Sequence, residues 1–362
     1  MIRIAVIGLG KMGLSHLAIA NGLSGFDVTA IVDSARLVGP ALSKITGIRH
    51  IGHTRGVLET NELDAVIVAT PTVSHEAIVR DAISRGLHVF CEKPLTLDAE
   101  VSGELAALAE QRGLVTQVGY HNRFVATFGE LKRLLDAGAL GKVSHAAGEA
   151  YGPVVTRPAK ATWRGKAELG GGALMDYAAH PINLLNWYFG APTTCDSAVL
   201  SSIYSKAVED EVYALLRFGS VSAQLSVNWS DPSQRKMSSQ IKIWGDLGTI
   251  YADRQELRVF FKGGDHVPEG YNEGWNVRYT TDLTPPVEFY IRGEEYSAQL
   301  EAFRNRIADR SAIAMNGFAD AAMTDATIHL IRAAAEAKPL AVQSASAIKG
   351  RRGFLSRVLV RS

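Results

Sequence analysis

The chain has 362 residues, of which 47% are hydrophobic and 21% charged, and its formal net charge is +1. This composition is typical of a folded chain of about two domains, and it excludes a disordered chain or a strongly basic one built to bind nucleic acid. Cys91 and Cys195 are too few for a disulfide framework and match no metal-site spacing, so we expect a reducing cytoplasm and no metal. A signal-peptide pattern and an apolar run of ~18 residues are both missing, so we expect no membrane span.

A short apolar strand at residues 2–7 leads directly into a glycine-rich turn and then a helix. Glycines in the order G-x-G-x-x-G permit a tight turn, close approach of the backbone to a pyrophosphate, and close helix–strand packing. The helix N-terminus behind such a turn attracts phosphates. We therefore predict a dinucleotide site that includes Gly8, Gly10, Lys11, Met12 and Gly13.

A second strand, 28–32, ends in Asp33, which lies 20 residues after Gly13. An acidic side chain at this position accepts hydrogen bonds from the adenine ribose hydroxyls, and it repels the 2′-phosphate of NADP. Arg36 is close enough in sequence to pair with that phosphate. The sequence thus favours NAD as the cofactor, with NADP as the alternative.

Strands at 65–69, 88–91 and 115–119 alternate with helices at 76–85 and 99–111. This alternation predicts a parallel sheet covered on both faces, with ligands bound beyond the carboxyl ends of its strands. The residues that directly follow those strand ends are Thr70, Pro71, Glu92 and Lys93.

The alternation of strands and helices stops near Arg123. This predicts a first domain at 1–123, a second at 124–345, and a basic C-terminal tail at 346–362. In the second domain, strands follow one another at 142–150, 196–204, 212–218, 221–229, 239–244, 249–252 and 256–261. We leave open the role of the tail and that of the aromatic-rich segment 263–293.

The strand at 212–218 is apolar on both sides, which predicts two buried faces. The closing helices, 294–308 and 319–337, are too few to cover both faces of a large sheet. We therefore expect a homo-oligomer, either a dimer or a tetramer. The polar face of strand 221–229 then lines a substrate cleft or contacts a sister subunit.

Three glycines at 170–172 precede an apolar-periodic helix that carries Asp176 and His180. Because these residues are four apart, they share a helix face, which Asn183 continues. A carboxylate one turn from an imidazole can fix the ring tautomer and raise its basicity, as a general base requires. The alternative is a capping aspartate beside a structural histidine.

The loop that Tyr151 opens, 151–170, holds four basic residues around Trp163 and no acid before Glu168; the four are Arg157, Lys160, Arg164 and Lys166. The loop lies just before the Asp176 helix, so we expect it to form a wall for an anionic substrate, with Arg164 and Trp163 in contact. The alternative is an ordinary solvated basic loop.

Taken together, these motifs resemble the glucose–fructose oxidoreductase/inositol dehydrogenase (Gfo/Idh/MocA) family. They are the turn at 8–13, Ala69-Thr70-Pro71 with His75, Glu92-Lys93-Pro94, Tyr120-His121-Asn122-Arg123-Phe124, and Gly171-Gly172 before Asp176-x-x-x-His180. The resemblance covers nearly the whole chain. It implies an α/β Rossmann domain followed by an α+β domain with a large, mostly antiparallel sheet.

The resemblance also implies an NAD(P)-dependent dehydrogenase for the hydroxyl of a sugar, sugar acid, nucleotide sugar or polyol. Lys93, Asp176 and His180 match the family's catalytic residues, and His75, Glu92, Lys93 and Asn122 are expected to join the cofactor site. We expect His180 to remove the hydroxyl proton, Asp176 to orient His180, and Lys93 to stabilise the reacting oxygen. The expected substrate contacts are Lys93, Tyr151, Trp163, Arg164, Asp176 and Asn183.

Two other functions are compatible with this scaffold. One is an NAD-dependent glycosidase that uses transient oxidation, and the other is a non-catalytic ligand sensor. The presence of Lys93, Asp176 and His180 favours the dehydrogenase over the sensor. The particular substrate and the physiological direction do not follow from the sequence.

Overall fold

The structure is a computed structural model that describes residues 1–35, 37–60, 62–156 and 162–337. The expectations that concern Arg36, Arg157, Lys160 and the basic tail fall on residues outside these ranges. No helix in the described ranges combines the length and apolarity that crossing a bilayer requires.

The first domain is built on a six-stranded parallel sheet, as predicted. Its order is β3-β2-β1-β4-β5-β6. The strands are β1 (Ile2–Ile7), β2 (Phe26–Val32), β3 (Arg49–Ile51), β4 (Ala65–Val68), β5 (His88–Cys91) and β6 (Thr116–Val118). The helices are α1 (Lys11–Gly22), α2 (Val38–Thr46), α3 (Thr54–Leu58), α4 (His75–Ser84) and α5 (Ala99–Gln111). The sequence analysis did not predict β3, because this edge strand has three residues and none of them is fully buried.

The second sheet has eight strands in the order β14-β13-β12-β11-β7-β10-β9-β8. They are β7 (Val143–Tyr151), β8 (Thr194–Ser201), β9 (Glu211–Phe218), β10 (Val221–Asn228), β11 (Gln240–Gly245), β12 (Gly248–Asp253), β13 (Glu256–Phe261) and β14 (Gly274–Tyr279). Only β7 and β10 pair in parallel among the described neighbours. The expectation of a large, mostly antiparallel sheet is therefore confirmed.

Helices cover one face of this sheet. The helices of the second half are α6 (Ala126–Asp136), α7 (Ala179–Phe189), α8 (Thr280–Leu283), α9 (Glu294–Ala308) and α10 (Phe318–Glu336). Gly148 of β7 leaves room for α7, because a Cβ there would lie 3.1 Å from the Pro181 Cβ. Helix α9 instead returns to the first domain, where Leu300 and Phe303 join its core. The division near residue 123 stays a prediction.

Within the described residues, the opposite face of the large sheet, here called the open face, carries exposed or half-buried side chains. Strand β9 alternates buried Val212 and Ala214 with exposed Tyr213 and half-buried Leu215. Burial of both sides of this strand therefore stays a prediction that depends on an oligomer, because the described helices pack on one face only. Trp275 and Tyr279 of β14 lie in the segment 263–293 and are also exposed.

Candidate active site

The glycine-rich turn joins β1 to α1 and passes close to the end of β4. Gly8 has a φ of +93°, and a Cβ there would lie 2.7 Å from the Ala69 carbonyl oxygen. A Cβ at Gly13 would lie 1.8 Å from the Gly8 carbonyl oxygen. These two glycines are needed for packing within the protein.

Gly10 differs from both, because a Cβ there would meet no atom within 4 Å. The space beside it adjoins the N-terminus of α1, whose first turn begins with Lys11 and Met12 and contains no acidic residue. A pyrophosphate needs this combination of close backbone approach and a positive helix end. The residues present thus fit a dinucleotide.

Asp33 stands at the end of β2, where the sequence analysis placed it. Its Oδ2 accepts a hydrogen bond from the Leu9 N–H at 2.6 Å, and its Oδ1 accepts one from the Ala35 N–H at 2.7 Å. The carboxylate thereby ties the end of β2 to the glycine-rich turn. Because a carboxylate has about four acceptor positions, it can still accept bonds from ribose hydroxyls.

The loops that follow β4 and β5 are joined by His75. Its Nδ1 lies 3.0 Å from the Pro94 carbonyl oxygen and its Nε2 lies 2.9 Å from the Thr70 carbonyl oxygen. Both ring nitrogens therefore face the main chain, and burial lowers the pKa of the ring. His75 braces the two loops, which differs from the expected contact with the cofactor. Thr70 Oγ1 accepts a hydrogen bond from Ser74, and Pro71 beside it is exposed.

Lys93 connects the two domains. Its Nζ donates to the Asp176 carbonyl oxygen at 2.8 Å and lies 3.2 Å from Asp176 Oδ1. The second carboxylate oxygen, Oδ2, accepts a hydrogen bond from Arg164 Nε at 2.7 Å. Burial alone would raise the pKa of Asp176, but the charges of Lys93 and Arg164 outweigh it and hold that pKa below its usual value. The carboxylate is therefore ionised and surrounded by two cations.

The backbone around Asp176 is not the single α-helix that the sequence predicts. Residues Leu174–Ala178 form a π-helical turn, and α7 begins only at Ala179. In a π-helical pattern the donor to the Asp176 carbonyl would be five residues further on, and that residue is Pro181, which has no N–H. The carbonyl is thus available to accept the bond from Lys93 Nζ.

His180 is not held by Asp176, so this part of the prediction is wrong. No hydrogen bond joins the two side chains within the described residues, and His180 Nδ1 is buried there without a partner. The ring instead meets the edges of the His121 and Tyr120 rings, at centroid distances of 5.1 and 6.2 Å. Burial, with the charges of Lys93 and Arg254, lowers the pKa of His180 well below 6.5. The imidazole is therefore neutral.

His180 is supported by His121 and, behind it, Arg254, a group that the sequence did not predict. His121 stacks on Tyr296 of α9 at 4.8 Å between centroids, and its Nε2 accepts a hydrogen bond from Arg254 Nη1 at 3.3 Å. Arg254 in turn pairs with Glu295. His121 belongs to the motif at 120–124, which was the only signal for it. Arg254 lies in the short turn between β12 and β13, and its sequence context does not distinguish it.

The loop before the π-helical turn holds Arg164 in place. The Gly172 N–H donates to the Arg164 carbonyl oxygen at 3.1 Å, and a Cβ at Gly171 would lie 2.3 Å from that oxygen. The Arg164 guanidinium also lies over the Trp163 ring, 4.9 Å from its centroid. Arg164 therefore binds Asp176, whereas the prediction had it bind an anionic substrate.

Two of the expected substrate contacts lie elsewhere. Asn183 is buried, accepting from Arg123 Nε at 2.9 Å and donating to Thr324 Oγ1 at 3.1 Å, so its amide is used inside the protein. Tyr151 lies three positions after Gly148 on β7 and so faces away from α7. Its hydroxyl donates to Ser226 on the open face of the sheet. Neither residue is placed to contact a substrate beside Lys93.

Asn122 remains compatible with a cofactor contact. Its Nδ2 donates to Ser239 Oγ at 3.3 Å, whereas its Oδ1 is buried and has no partner among the described residues. A buried acceptor without a partner is costly unless a ligand or water satisfies it. Glu92, also expected at the cofactor site, is hydrogen bonded to His16 of α1.

This fold and this site define a class: two-domain proteins that pair a Rossmann dinucleotide-binding domain with an α+β domain. Residues 2–120 match the model of the oxidoreductase family with an NAD-binding Rossmann fold, and residues 128–251 match the GFO/IDH/MocA C-terminal domain. Together the two models span roughly two thirds of the chain. The chain belongs to the GFO/IDH/MocA oxidoreductase family, which confirms the resemblance and the NAD-binding domain.

Named relatives agree with this family. The rhizopine catabolism protein MocA of Rhizobium meliloti is 29% identical over 58% of this chain and 64% of its own length. The scyllo-inositol 2-dehydrogenase (NAD⁺) of Bacillus subtilis is 30% identical over 53% of this chain and 55% of its own length. In both comparisons the chain spans less than two thirds of the relative.

A similarity to a solved structure extends over nearly the whole chain. GenD2 from gentamicin A biosynthesis, solved in complex with NAD, is 26% identical, with a TM-score of 0.75. The match covers 95% of this chain and 97% of that one. Both domains thus share their arrangement with a protein that binds NAD.

Proposed function

We propose that this chain is an NAD-dependent dehydrogenase that oxidises the hydroxyl of a sugar or polyol, or reduces the corresponding ketone. The observation that carries the proposal is the Lys93–Asp176 pair, with 2.8 Å between Lys93 Nζ and the Asp176 carbonyl oxygen. It stands just beyond the end of β5, at the sheet edge that also carries the glycine-rich turn. Ligands of parallel sheets bind along this edge.

The residues proposed to hold NAD follow that edge. The open space beside Gly10 and the N-terminus of α1 would take the pyrophosphate, and Asp33 would take the adenine ribose. The buried Asn122 Oδ1 supplies an acceptor that has no partner among the described residues. Bound NAD would accept the hydride at its nicotinamide ring.

Lys93 would act on the reacting oxygen. An ammonium group has three donors, and two of them point to Asp176, so one is left for a substrate hydroxyl. Lys93 and Arg164 carry two positive charges and Asp176 carries one negative charge, so the group has one positive charge in excess. This surplus of positive charge stabilises the negative charge that develops on the oxygen as it loses its proton.

His180 would take the proton of the hydroxyl. Because its pKa is held well below 6.5, the ring is neutral in neutral solution and can accept a proton. Tyr120 and His121 fix its orientation by ring contacts. Asp176 contributes by accepting hydrogen bonds from Lys93, and Arg164 contributes by donating a hydrogen bond to Asp176.

Polyols such as inositols are the first substrates to test. A relative carries the name scyllo-inositol 2-dehydrogenase (NAD⁺), and that name supports this substrate class. Arg164 binds Asp176, so its guanidinium does not by itself support an anionic substrate. Sugar acids and nucleotide sugars belong in the same panel as comparisons.

The test is a panel of inositols, aldoses, sugar acids and nucleotide sugars, each assayed with NAD and with NADP. We expect net formation of reduced nicotinamide with at least one neutral polyol or sugar, and a higher kcat/KM with NAD because of Asp33. Sugar release without net reduction would instead indicate a glycosidase. Ligand binding without turnover would indicate a sensor.

We also propose that the chain forms a homo-oligomer through the open face of the large sheet. Exposed aromatic side chains support this proposal: Trp275 is 58% exposed and Tyr279 54%. Light scattering behind a sizing column should give a multiple of 39.0 kDa. Trp275→Glu should shift the population to monomer, and a monomeric wild type at micromolar concentration would contradict the proposal.

A further inference from the structure

His16 lies in α1, one turn after Gly13, and is fully buried. Its Nε2 is 2.6 Å from Glu92 Oε1, on the loop that carries Lys93. The ring also meets the edge of Phe90, with 5.0 Å between centroids. The proposed phosphate-binding helix and the lysine loop are therefore joined by a short hydrogen bond whose histidine is fully buried and whose carboxylate is largely buried.

The Glu92 carboxylate has little freedom. On one side it meets His16, and on the other a Cβ at Gly119 would lie 3.0 Å from Glu92 Cδ. Its second oxygen, Oε2, accepts a hydrogen bond from the Lys93 N–H at 3.3 Å. Burial opposes ionisation of Glu92, but the hydrogen bond and charge of His16, with Lys93, keep its pKa below the usual value.

These contacts form a continuous chain from α1 to the reacting group. His16 fixes Glu92, Glu92 holds the backbone of Lys93, and Lys93 Nζ reaches Asp176. Without the donor from His16, Glu92 would be a buried carboxylate lacking its main partner. Such a group moves toward water or takes up a proton. Either change would release the Lys93 backbone.

We propose that His16 is a positioning residue, which sets the position of Lys93 through the Glu92 carboxylate. The inference rests on the proposed function, in which Lys93 contacts the reacting oxygen. It also gives Glu92 a different role from the direct cofactor contact that the sequence suggested. The glycine-rich turn and Asp33 would still provide most of the affinity for NAD.

The first test compares three variants by turnover and by NADH affinity. His16→Leu should lower kcat about 10- to 100-fold, the range expected for losing a hydrogen bond to a charged group. NADH binding, measured by fluorescence titration without substrate, should stay within about 3-fold, because binding and chemistry are separable. His16→Gln places an amide donor near the same position and should restore most of kcat.

Leu17→Ala is the matched control. Leu17 is also buried in α1 but packs in the apolar core beside Leu23 and Phe26. The variant should lower stability through a core cavity while leaving kcat near that of the wild type. If Leu17→Ala lowers kcat as much as His16→Leu, the effect is general loosening of α1, and the proposal is wrong.

The second test needs neither cofactor nor substrate. Reductive methylation of Lys93 in the apo protein, followed by peptide mass spectrometry, measures how firmly Nζ is held. We expect several-fold faster labelling in His16→Leu and a rate near wild type in His16→Gln and Leu17→Ala. Equal labelling in wild type and His16→Leu would overturn the proposal.

The proposed dehydrogenase function and the positioning role of His16 can fail separately. If Lys93→Ala keeps wild-type turnover, the proposed function fails, whatever the labelling shows. If Lys93→Ala lowers turnover strongly but measurably, and the double variant with His16→Leu loses the full His16→Leu factor in addition, His16 acts independently of Lys93. That outcome refutes only the positioning role. If His16 acted through Lys93, the effects of the two substitutions on kcat would not be additive.

Discussion

The candidate site has two halves that are built differently. The half on the parallel sheet is made by local backbone: a glycine-rich turn, and strand ends at Asp33 and Lys93. The half before α7 is made by side-chain contacts between segments: Arg164 binds Asp176, 12 residues further on, and His121 lies against His180. The first kind of site can be read from a short motif, whereas the second depends on which segments the fold brings together.

This difference explains the error about Asp176 and His180. A spacing of four predicts two side chains that face each other on an α-helix. The π-helical turn at Leu174–Ala178 changes the spacing per turn, and Lys93 and Arg164 occupy both oxygens of Asp176. Because each carboxylate oxygen already accepts a hydrogen bond from a cation, Asp176 does not bind the neutral imidazole of His180.

The largest expected effect tests the half on the parallel sheet. Lys93→Ala should lower kcat by ~10²–10⁴-fold, because it removes the group that stabilises charge on the reacting oxygen. NADH affinity should change little, because the glycine-rich turn is intact. Steady-state kinetics and fluorescence titration measure both quantities, and Lys166→Ala, at an exposed lysine, is the control. Near-normal turnover in Lys93→Ala would contradict the proposal that Lys93 acts on the reacting oxygen.

The next effect tests the contact between Arg164 and Asp176 in the half before α7. Arg164→Ala should lower kcat by ~10-fold, because Asp176 loses one of its two cationic partners. The loss should be equal for neutral and anionic substrates, since Arg164 serves Asp176. A rise in KM confined to anionic substrates would instead support the original expectation that Arg164 binds the substrate.

A double-mutant cycle sharpens the comparison within the second half. Asp176→Asn and Lys93→Met should be coupled by ~1–3 kcal/mol in the free energy of unfolding, as contacting residues are. Asp176→Asn and His180→Leu should be coupled more weakly than the first pair, because no hydrogen bond joins their side chains within the described residues. Urea denaturation of the single and double variants measures both cycles. Strong coupling of Asp176 to His180 would restore the helix-face model.

The smallest effect is a displaced pH profile. The protein lowers the pKa of His180 below 6.5, so the base stays unprotonated into more acidic solution. The acidic limb of kcat/KM, which reports the free enzyme, should therefore lie below pH 6.5. If Asp176 instead raised the pKa of His180, this limb would lie above pH 6.5. The pH profile of kcat/KM distinguishes the two cases.

Much of the fold follows from the sequence, because its signals are local. Strand β1, the glycine-rich turn and α5 were predictable from apolar runs and glycine spacing. The short strand β3 was not, since three residues carry too little periodicity. At β9 the apolar run does not show which of its faces the helices cover, and burial of the other face in an oligomer stays a prediction.

The site follows from the sequence only in part. Lys93 was predictable because parallel strands deliver their next residues to one edge. Tyr151 was misplaced because its face depends on the register of β7 against α7. Arg254, in a turn of the second sheet, and His16, in α1, act through partners far away in sequence. No spacing rule links such pairs.

The most direct test of the central claim follows the hydrogen atom itself. Inositol deuterated at its ring carbons should be oxidised with NAD, and mass spectrometry and NMR of the cofactor then locate the label. We expect deuterium at C4 of the reduced nicotinamide with the wild type and almost none with Lys93→Ala. If inositol proves inert, the best neutral substrate of the panel takes its place. Deuterium lost to water, or turnover without label in the cofactor, would contradict the account.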